Sequence, residues 1–149
     1  MSSIRDSWVS LDTHEFLFAL RKEARYPACE TLLFDLLSRL QIYMPLQILV
    51  ELQRNLTANE MRGLLLALNR SKTIQYDYAP VSLDLVIPWE RRGAKKGDAV
   101  IAAHLESAGV HYFISENRHF LSQLPDLPFI VLTSEEAVQL LKDEDTISS

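Results

Sequence analysis

Short apolar segments alternate along this chain with stretches of helical periodicity, and this alternation constrains the fold most. Four segments have the composition of buried strands, at residues 8–11, 41–44, 110–115 and 129–132. The intervening residues have helical patterns, clearest in residues 28–40, where leucines recur at the i, i+3, i+4 spacing of an amphipathic helix. Strands joined through helices need right-handed crossovers. The chain therefore predicts an α/β fold, with a central parallel sheet covered by helices on both faces.

Further helices are predicted at residues 15–20, 46–56, 57–68, 98–108 and 133–141. Thr57 and Glu60 have the spacing of a capping box, and Gly109 is typical of a helix C-terminus. Residues 74–89 are ambiguous, because apolar residues alternate there as in a strand while Pro80 suits a first helical turn. We predict a helix for this stretch. Residues 143–149 form a predicted polar tail.

Length and composition indicate one soluble globular domain. The chain has 149 residues, of which 48% are hydrophobic and 23% charged. Its net charge of -5 gives no general attraction to nucleic acid, so metal ions and local basic loops would have to supply one. Cys29 is the only cysteine, which excludes an internal disulfide and favours a small core residue. With no signal peptide and no membrane-spanning segment in the pattern, we expect a cytoplasmic protein.

Acidic and amide residues stand beside apolar runs at four distant places, namely Asp12, Glu51, Asp98 and the pair Glu116–Asn117. Asp12 and the pair follow predicted strands, Glu51 lies inside a helical pattern and Asp98 lies at a helix start. Active sites of α/β folds gather at the carboxyl ends of the strands. Converging carboxylates repel one another unless a divalent cation neutralises them, and oxygen ligands favour Mg²⁺ or Mn²⁺. Metal-dependent hydrolysis of a phosphodiester is the leading hypothesis.

Each of these residues also has a purely structural interpretation. Asp12 and Asp98 are both candidates for helix N-caps, although Asp98 has Ile101 where a capping glutamate is usual. Glu51 lies near the apolar face of its helix, where a charge is costly unless it is paired or at the rim. Glu116 and Asn117 also suit an ordinary turn.

Taken together, these motifs resemble the PIN domain nucleases, and more narrowly the VapC-type toxins of prokaryotic toxin–antitoxin pairs. The segments that carry the resemblance are residues 9–13, 45–52, 96–103 and 112–120. The resemblance extends from Trp8 to about Leu141, and it makes residues 1–142 a single PIN-like domain.

The resemblance implies a three-layer sandwich that cleaves single-stranded RNA with Mg²⁺ or Mn²⁺. By position, Asp12, Glu51 and Asp98 are implied to be the catalytic, metal-organising carboxylates. Asn117 falls where the family often has a fourth acid, and Glu116 beside it is a further candidate metal ligand. Thr13, which follows Asp12 as in the family, is implied to bond a metal-bound water or a carboxylate.

The resemblance also implies partners. These are a single-stranded RNA substrate, a small antitoxin protein and a second copy of the chain in a homodimer. Residues 28–40 and 61–68 offer apolar faces for the dimer, although core packing is the commoner fate of such faces. The residues that we predict to hold the RNA backbone are Arg91, Arg92, Lys95, Lys96 and Arg118. A solvated basic loop explains any one of them equally well.

Other functions are also compatible with parts of the pattern. A PIN-like domain that binds nucleic acid or protein with weak or no catalysis is supported by Asn117 and by His14, which stands where the family commonly has asparagine. A phosphotransfer receiver domain lacks its paired acids after the first strand and a lysine after residues 129–133. A Rossmann cofactor site lacks a Gly-x-Gly cluster, and the four histidines lack a zinc-ligand spacing.

Overall fold

The computed structural model describes residues 3–117 and 126–148. Its strands are β1 (Trp8–Leu11), β2 (Gln41–Pro45), β3 (Thr73–Asp77), β4 (Tyr112–Ile114) and β5 (Ile130–Leu132). Its α-helices are α1 (Thr13–Leu20), α2 (Pro27–Thr31), α3 (Leu46–Asn55), α4 (Ala58–Leu68), α5 (Leu83–Arg91), α6 (Lys96–Ala108) and α7 (Ser134–Ser148). A 3-10 turn (Ile4–Asp6) precedes β1. The helix predicted at 28–40 is divided, because α2 continues as a π-helical turn (Leu32–Leu36) and a 3-10 turn (Leu37–Arg39).

The five strands form one parallel sheet in the order β3-β2-β1-β4-β5, flanked by helices on both faces. The predicted α/β sandwich is confirmed. The chain winds from β1 outward in one direction through β2 and β3, and in the other through β4 and β5. This reversal opens a crevice between the carboxyl ends of β1 and β4, where ligands bind in open parallel sheets. Leu11 pairs with Ile114 there, so the residues that follow these two strands are neighbours.

The central strands are buried on both faces, as a parallel sheet requires. Val9, Ile42, Phe113 and Ile114 are all fully buried. Such strands appear in a sequence as continuous apolar runs, which explains why β1, β2 and β4 were predicted correctly.

The helix predicted for residues 74–89 is wrong over β3 and right over α5. β3 is an edge strand, in which Ile74, Tyr76 and Asp77 are half-buried while Thr73 and Gln75 are exposed. It therefore lacks the continuous apolar run that identifies a central strand. α5 follows its N-cap Ser82, whose side chain accepts the Asp84 N–H at 3.3 Å.

The polar tail predicted at residues 143–149 is wrong over 143–148, which continue α7. Their acidic side chains bind the N-terminal segment. Glu144 accepts the Ile4 N–H at 3.0 Å, and Asp145 pairs with Arg5 at 3.0 Å and with Arg39. Polar composition alone did not reveal these partners, which lie 106 to 140 residues away in the chain. No helix in the described part of the chain is long and apolar enough to cross a membrane.

Candidate active site

Asp12 lies directly after β1, between the ends of β1 and β4. Its backbone N–H donates to the Ile114 carbonyl at 2.9 Å, which extends the β1–β4 pairing by one residue. Its carboxylate accepts the Ser115 hydroxyl at 2.7 Å and the Thr13 N–H at 2.9 Å. Asp12 therefore caps α1, which confirms its structural interpretation, and it also lies at the crevice.

Burial raises the pKa of Asp12 from 3.8 to about 6. The side chain is only 7% exposed, and loss of hydration disfavours its charged form. The hydrogen bonds from Ser115 and Thr13 lower the pKa, while the negative charges of Glu51 and Asp98 raise it further. Since such repulsion falls off steeply with distance, it indicates that the three carboxylates share one region.

Glu51 lies in the middle of α3 with both carboxylate oxygens hydrogen-bonded. Thr13 donates its hydroxyl to one oxygen at 2.7 Å, and Gln47, one turn earlier, donates to the other at 2.8 Å. The side chain is half-buried, which matches a rim position beside the apolar face. Gly97 brings α6 close to it, since a Cβ built on Gly97 would stand 3.5 Å from a Glu51 oxygen.

Asp98 lies in the first turn of α6, whose N-cap is Lys95, so its interpretation as the cap residue is wrong. Asn117 donates its side-chain amide to Asp98 at 3.3 Å, and its backbone N–H to the Ser115 hydroxyl at 2.9 Å. Ser115 thus contacts both Asp12 and Asn117. The structure brings together all four residues that we predicted as catalytic, from β1, α3, α6 and the end of β4.

Glu116 has a different environment from Asn117. It borders a cavity of about 230 Å³ that Asp12 and Asn117 also line, together with His14, Phe18 and Tyr26. Its carboxylate accepts the Ser134 N–H at the start of α7 at 2.9 Å and is hydrogen-bonded to Glu15. Glu116 therefore binds the start of α7 and Glu15, while its neighbour Asn117 binds Asp98.

Glu15 is a buried acid to which the sequence interpretation gave no role. It is 1% exposed, and burial followed by its hydrogen bond with Glu116 raises its pKa to about 10. Cys29 donates its thiol to Glu15 at 2.7 Å. The signal was the composition of α1, in which apolar residues fill most positions after Glu15 and leave few exposed ones for an acid.

The structure places the predicted RNA-binding residues around the N-terminus of α6. Arg91, Lys95 and Lys96 are exposed. Arg92 stacks on Trp89, with 4.3 Å from its guanidinium carbon to the ring centroid, and donates to the Asp126 carbonyl at 3.1 Å. Arg118 lies outside the described residues.

No protein-family model and no curated protein matches this chain. Two solved structures have a fold similar to that of this chain. The first is VapBC2 from Rickettsia felis, bound to a DNA fragment from its promoter, with 19% identity, a TM-score of 0.59, and coverage of 85% of this chain and 98% of that one. The second is PAE2754 from Pyrobaculum aerophilum, with 14% identity, a TM-score of 0.51, and coverage of 95% and 97%.

Proposed function

We propose that this chain is a metal-dependent endoribonuclease that cleaves single-stranded RNA by attack of water on the phosphodiester. The observation that carries the proposal is the convergence of Asp12, Glu51 and Asp98 at the carboxyl edge of the sheet, with the pKa of Asp12 raised partly by the other two. Repulsion among the three carboxylates destabilises the folded chain, and acids with shifted pKa values concentrate at functional sites.

The donor set fits Mg²⁺ or Mn²⁺. Asp12, Glu51 and Asp98 offer only carboxylate oxygens, and the Asn117 amide oxygen adds a neutral one. A bound cation of this kind lowers the pKa of a water molecule and stabilises negative charge on the reacting phosphate.

The surrounding residues hold the carboxylates in place. Thr13 and Gln47 fix the two oxygens of Glu51, and Ser115 fixes Asp12 and the backbone of Asn117. The α6 N-terminus, with Lys95 and Lys96 exposed beside it, presents positive charge to an RNA phosphate. This local attraction compensates for the net charge of -5.

The cellular role that we propose is the toxin of a toxin–antitoxin pair, acting in the cytoplasm as a single-domain homodimer. The fold that this chain shares with VapBC2 supports the proposal. A small antitoxin would silence the enzyme by placing an arginine or lysine against the carboxylates. Exposed Phe34, Leu65 and Leu66 lie on the two segments whose apolar faces suit a dimer.

The test is cleavage of a fluorescent single-stranded RNA by the wild-type chain, Asp98→Asn and the matched control Asp84→Asn, whose exposed carboxylate lies on α5. We expect Mg²⁺- or Mn²⁺-dependent cleavage, abolished by EDTA, and a loss of at least about 100-fold in Asp98→Asn. The control should cleave like the wild type. Cleavage that survives EDTA, or equal rates in all three proteins, would rule out the metal-nuclease function.

A PIN-like binding domain with weak catalysis is the second candidate, because Asn117 supplies an amide where a fourth acid would add charge. A Mn²⁺ titration separates the two. Saturable stimulation of cleavage supports the nuclease, and RNA binding without cleavage at any Mn²⁺ concentration supports the binding domain. Harmless overexpression of an active enzyme without its partner would favour RNA processing over a toxin.

A further inference from the structure

Glu15, Cys29 and Glu116 form a second cluster of ionisable side chains, apart from the contact between Asn117 and Asp98. They come from α1, α2 and the residues after β4. Among the described residues, this is the one set of three His, Cys, Asp or Glu side chains whose ligand atoms all lie within 4.8 Å of one another. The Asp12, Glu51 and Asp98 carboxylates are not gathered that tightly.

One buried carboxyl oxygen of the cluster lacks a hydrogen-bond partner in the described part of the chain. Glu15 and Cys29 are each 1% exposed, yet Glu15 Oε1 accepts no hydrogen bond from any described residue. Its other oxygen accepts the Cys29 thiol at 2.7 Å. A buried carboxyl oxygen without a donor must be satisfied by its own proton or by a cation. Glu15 Oε1 lacks such a donor among the described residues, and the Cys29 and Glu116 ligand atoms lie within 4.8 Å of the ligand atom that Glu15 offers.

We propose that Glu15, Cys29 and Glu116 form a second metal site, selective for a thiophilic divalent cation such as Zn²⁺. One thiolate and two carboxylates are donors that Zn²⁺ accepts, whereas Mg²⁺ and Mn²⁺ prefer oxygen alone. Tetrahedral Zn²⁺ places a sulfur and an oxygen ligand about 3.6 Å apart. The three ligand atoms already lie within 4.8 Å of one another, and the 2.7 Å between Cys29 and Glu15 would have to lengthen to reach this spacing.

The site is buried but reachable. Glu116 borders the cavity that Asp12 lines and also a second cavity of about 370 Å³, which Arg25, Tyr26 and Ser134 line with it. A cation therefore meets Glu116 first, from solvent, and displaces the protons of Cys29 and Glu15 into water as it binds. Once bound, it ties α1 and α2 to the peptide that carries Asn117. This inference does not depend on RNA cleavage.

The test uses Co²⁺, which replaces Zn²⁺ and gives an intense thiolate-to-metal absorption band. Since Cys29 is the only cysteine, that band has one possible source in the untagged protein. We expect one equivalent of Co²⁺ to develop the band in the wild type, Zn²⁺ to abolish it by competition, and Asp12→Asn to retain it. Cys29→Ser should lack it.

The carboxylates are tested by Glu15→Gln and Glu116→Gln, with Glu30→Gln on α2 as the matched control. We expect Co²⁺ affinity to fall at least about tenfold in the first two and to stay unchanged in the control. Should Cys29→Ser fail to fold, these two variants decide the matter. Absence of the band in the folded wild type, or equal affinity in Glu15→Gln, Glu116→Gln and Glu30→Gln, would overturn the proposal.

Discussion

Replacing Asp12 with asparagine should stabilise the metal-free protein while abolishing its activity. Asparagine has the shape of the neutral acid, remains a good N-cap for α1, and can keep a hydrogen bond with both Thr13 and Ser115. It removes only the charge, which the folded protein disfavours through burial and through repulsion from Glu51 and Asp98. The residue that is needed for function is thus predicted to be a cost in stability.

The size of this cost follows from the pKa of Asp12, which folding raises from 3.8 to about 6. A displacement of that size is worth about 3 kcal/mol in the free energy of unfolding. Because the folded pKa is the higher one, the cost is absent below about pH 3.8, grows between about pH 3.8 and 6, and is complete above. Because the raised pKa already includes the hydrogen bonds that favour the charged form, we expect Asp12→Asn to gain about 3 kcal/mol at pH 8.

The assay is urea unfolding in EDTA at several pH values from about 4 to 8, comparing wild type with Asp12→Asn and with the exposed control Asp35→Asn. The gain in Asp12→Asn should shrink toward zero as the pH falls to about 4, while Asp35→Asn should differ little from wild type throughout. Adding Mn²⁺ at 100 times its Kd should stabilise the wild type by about 2.7 kcal/mol and the variant far less.

A destabilised Asp12→Asn at pH 8 would refute the reasoning, since it would mean that the carboxylate contributes more as a buried hydrogen-bond acceptor than it costs as a charge. A gain that does not change with pH would refute it too, because titration of Asp12 would then not be its source.

Two further predictions concern other parts of the same account. Ser115→Ala removes a hydrogen bond that lowers the pKa of Asp12. RNA cleavage is expected to rise with pH near 6 in the wild type, and this rise should move to higher pH in the variant. A pH–rate profile that keeps its position would contradict this role of Ser115. Leu66→Glu places a charge on a side chain of α4 that is 65% exposed, so the subunit should still fold and cleave RNA. The charge should convert the dimer to monomers, as measured by light scattering. An unchanged dimer would mean that the interface lies elsewhere.

The fold was largely predictable because its central strands are buried on both faces. Buried parallel strands leave continuous apolar runs, and β1, β2 and β4 were found from them. β3 was not predicted, because an edge strand with exposed Thr73 and Gln75 has no such run. The end of α7 was not predicted, because Glu144 and Asp145 bind Ile4 and Arg5 at the opposite end of the chain.

The candidate site was predictable as a set of positions but not as directions of side chains. The end of a buried strand indicates where Asp12 and Asn117 lie, and a costly acid beside an apolar face singled out Glu51. No such rule tells which of two adjacent residues after β4 faces Asp98. Glu116 points toward Glu15 and Ser134, because a buried acid and a helix N-terminus are available there.

The central claim is that Asp12, Glu51 and Asp98 hold the divalent cation for phosphodiester hydrolysis. It is tested most directly by anomalous diffraction from crystals of the chain grown with Mn²⁺. The account predicts a Mn²⁺ peak within ligand distance of these three carboxylates in the wild type, and none there in Asp12→Asn. A well-occupied Mn²⁺ elsewhere with this position empty, or an unchanged peak in Asp12→Asn, would contradict it.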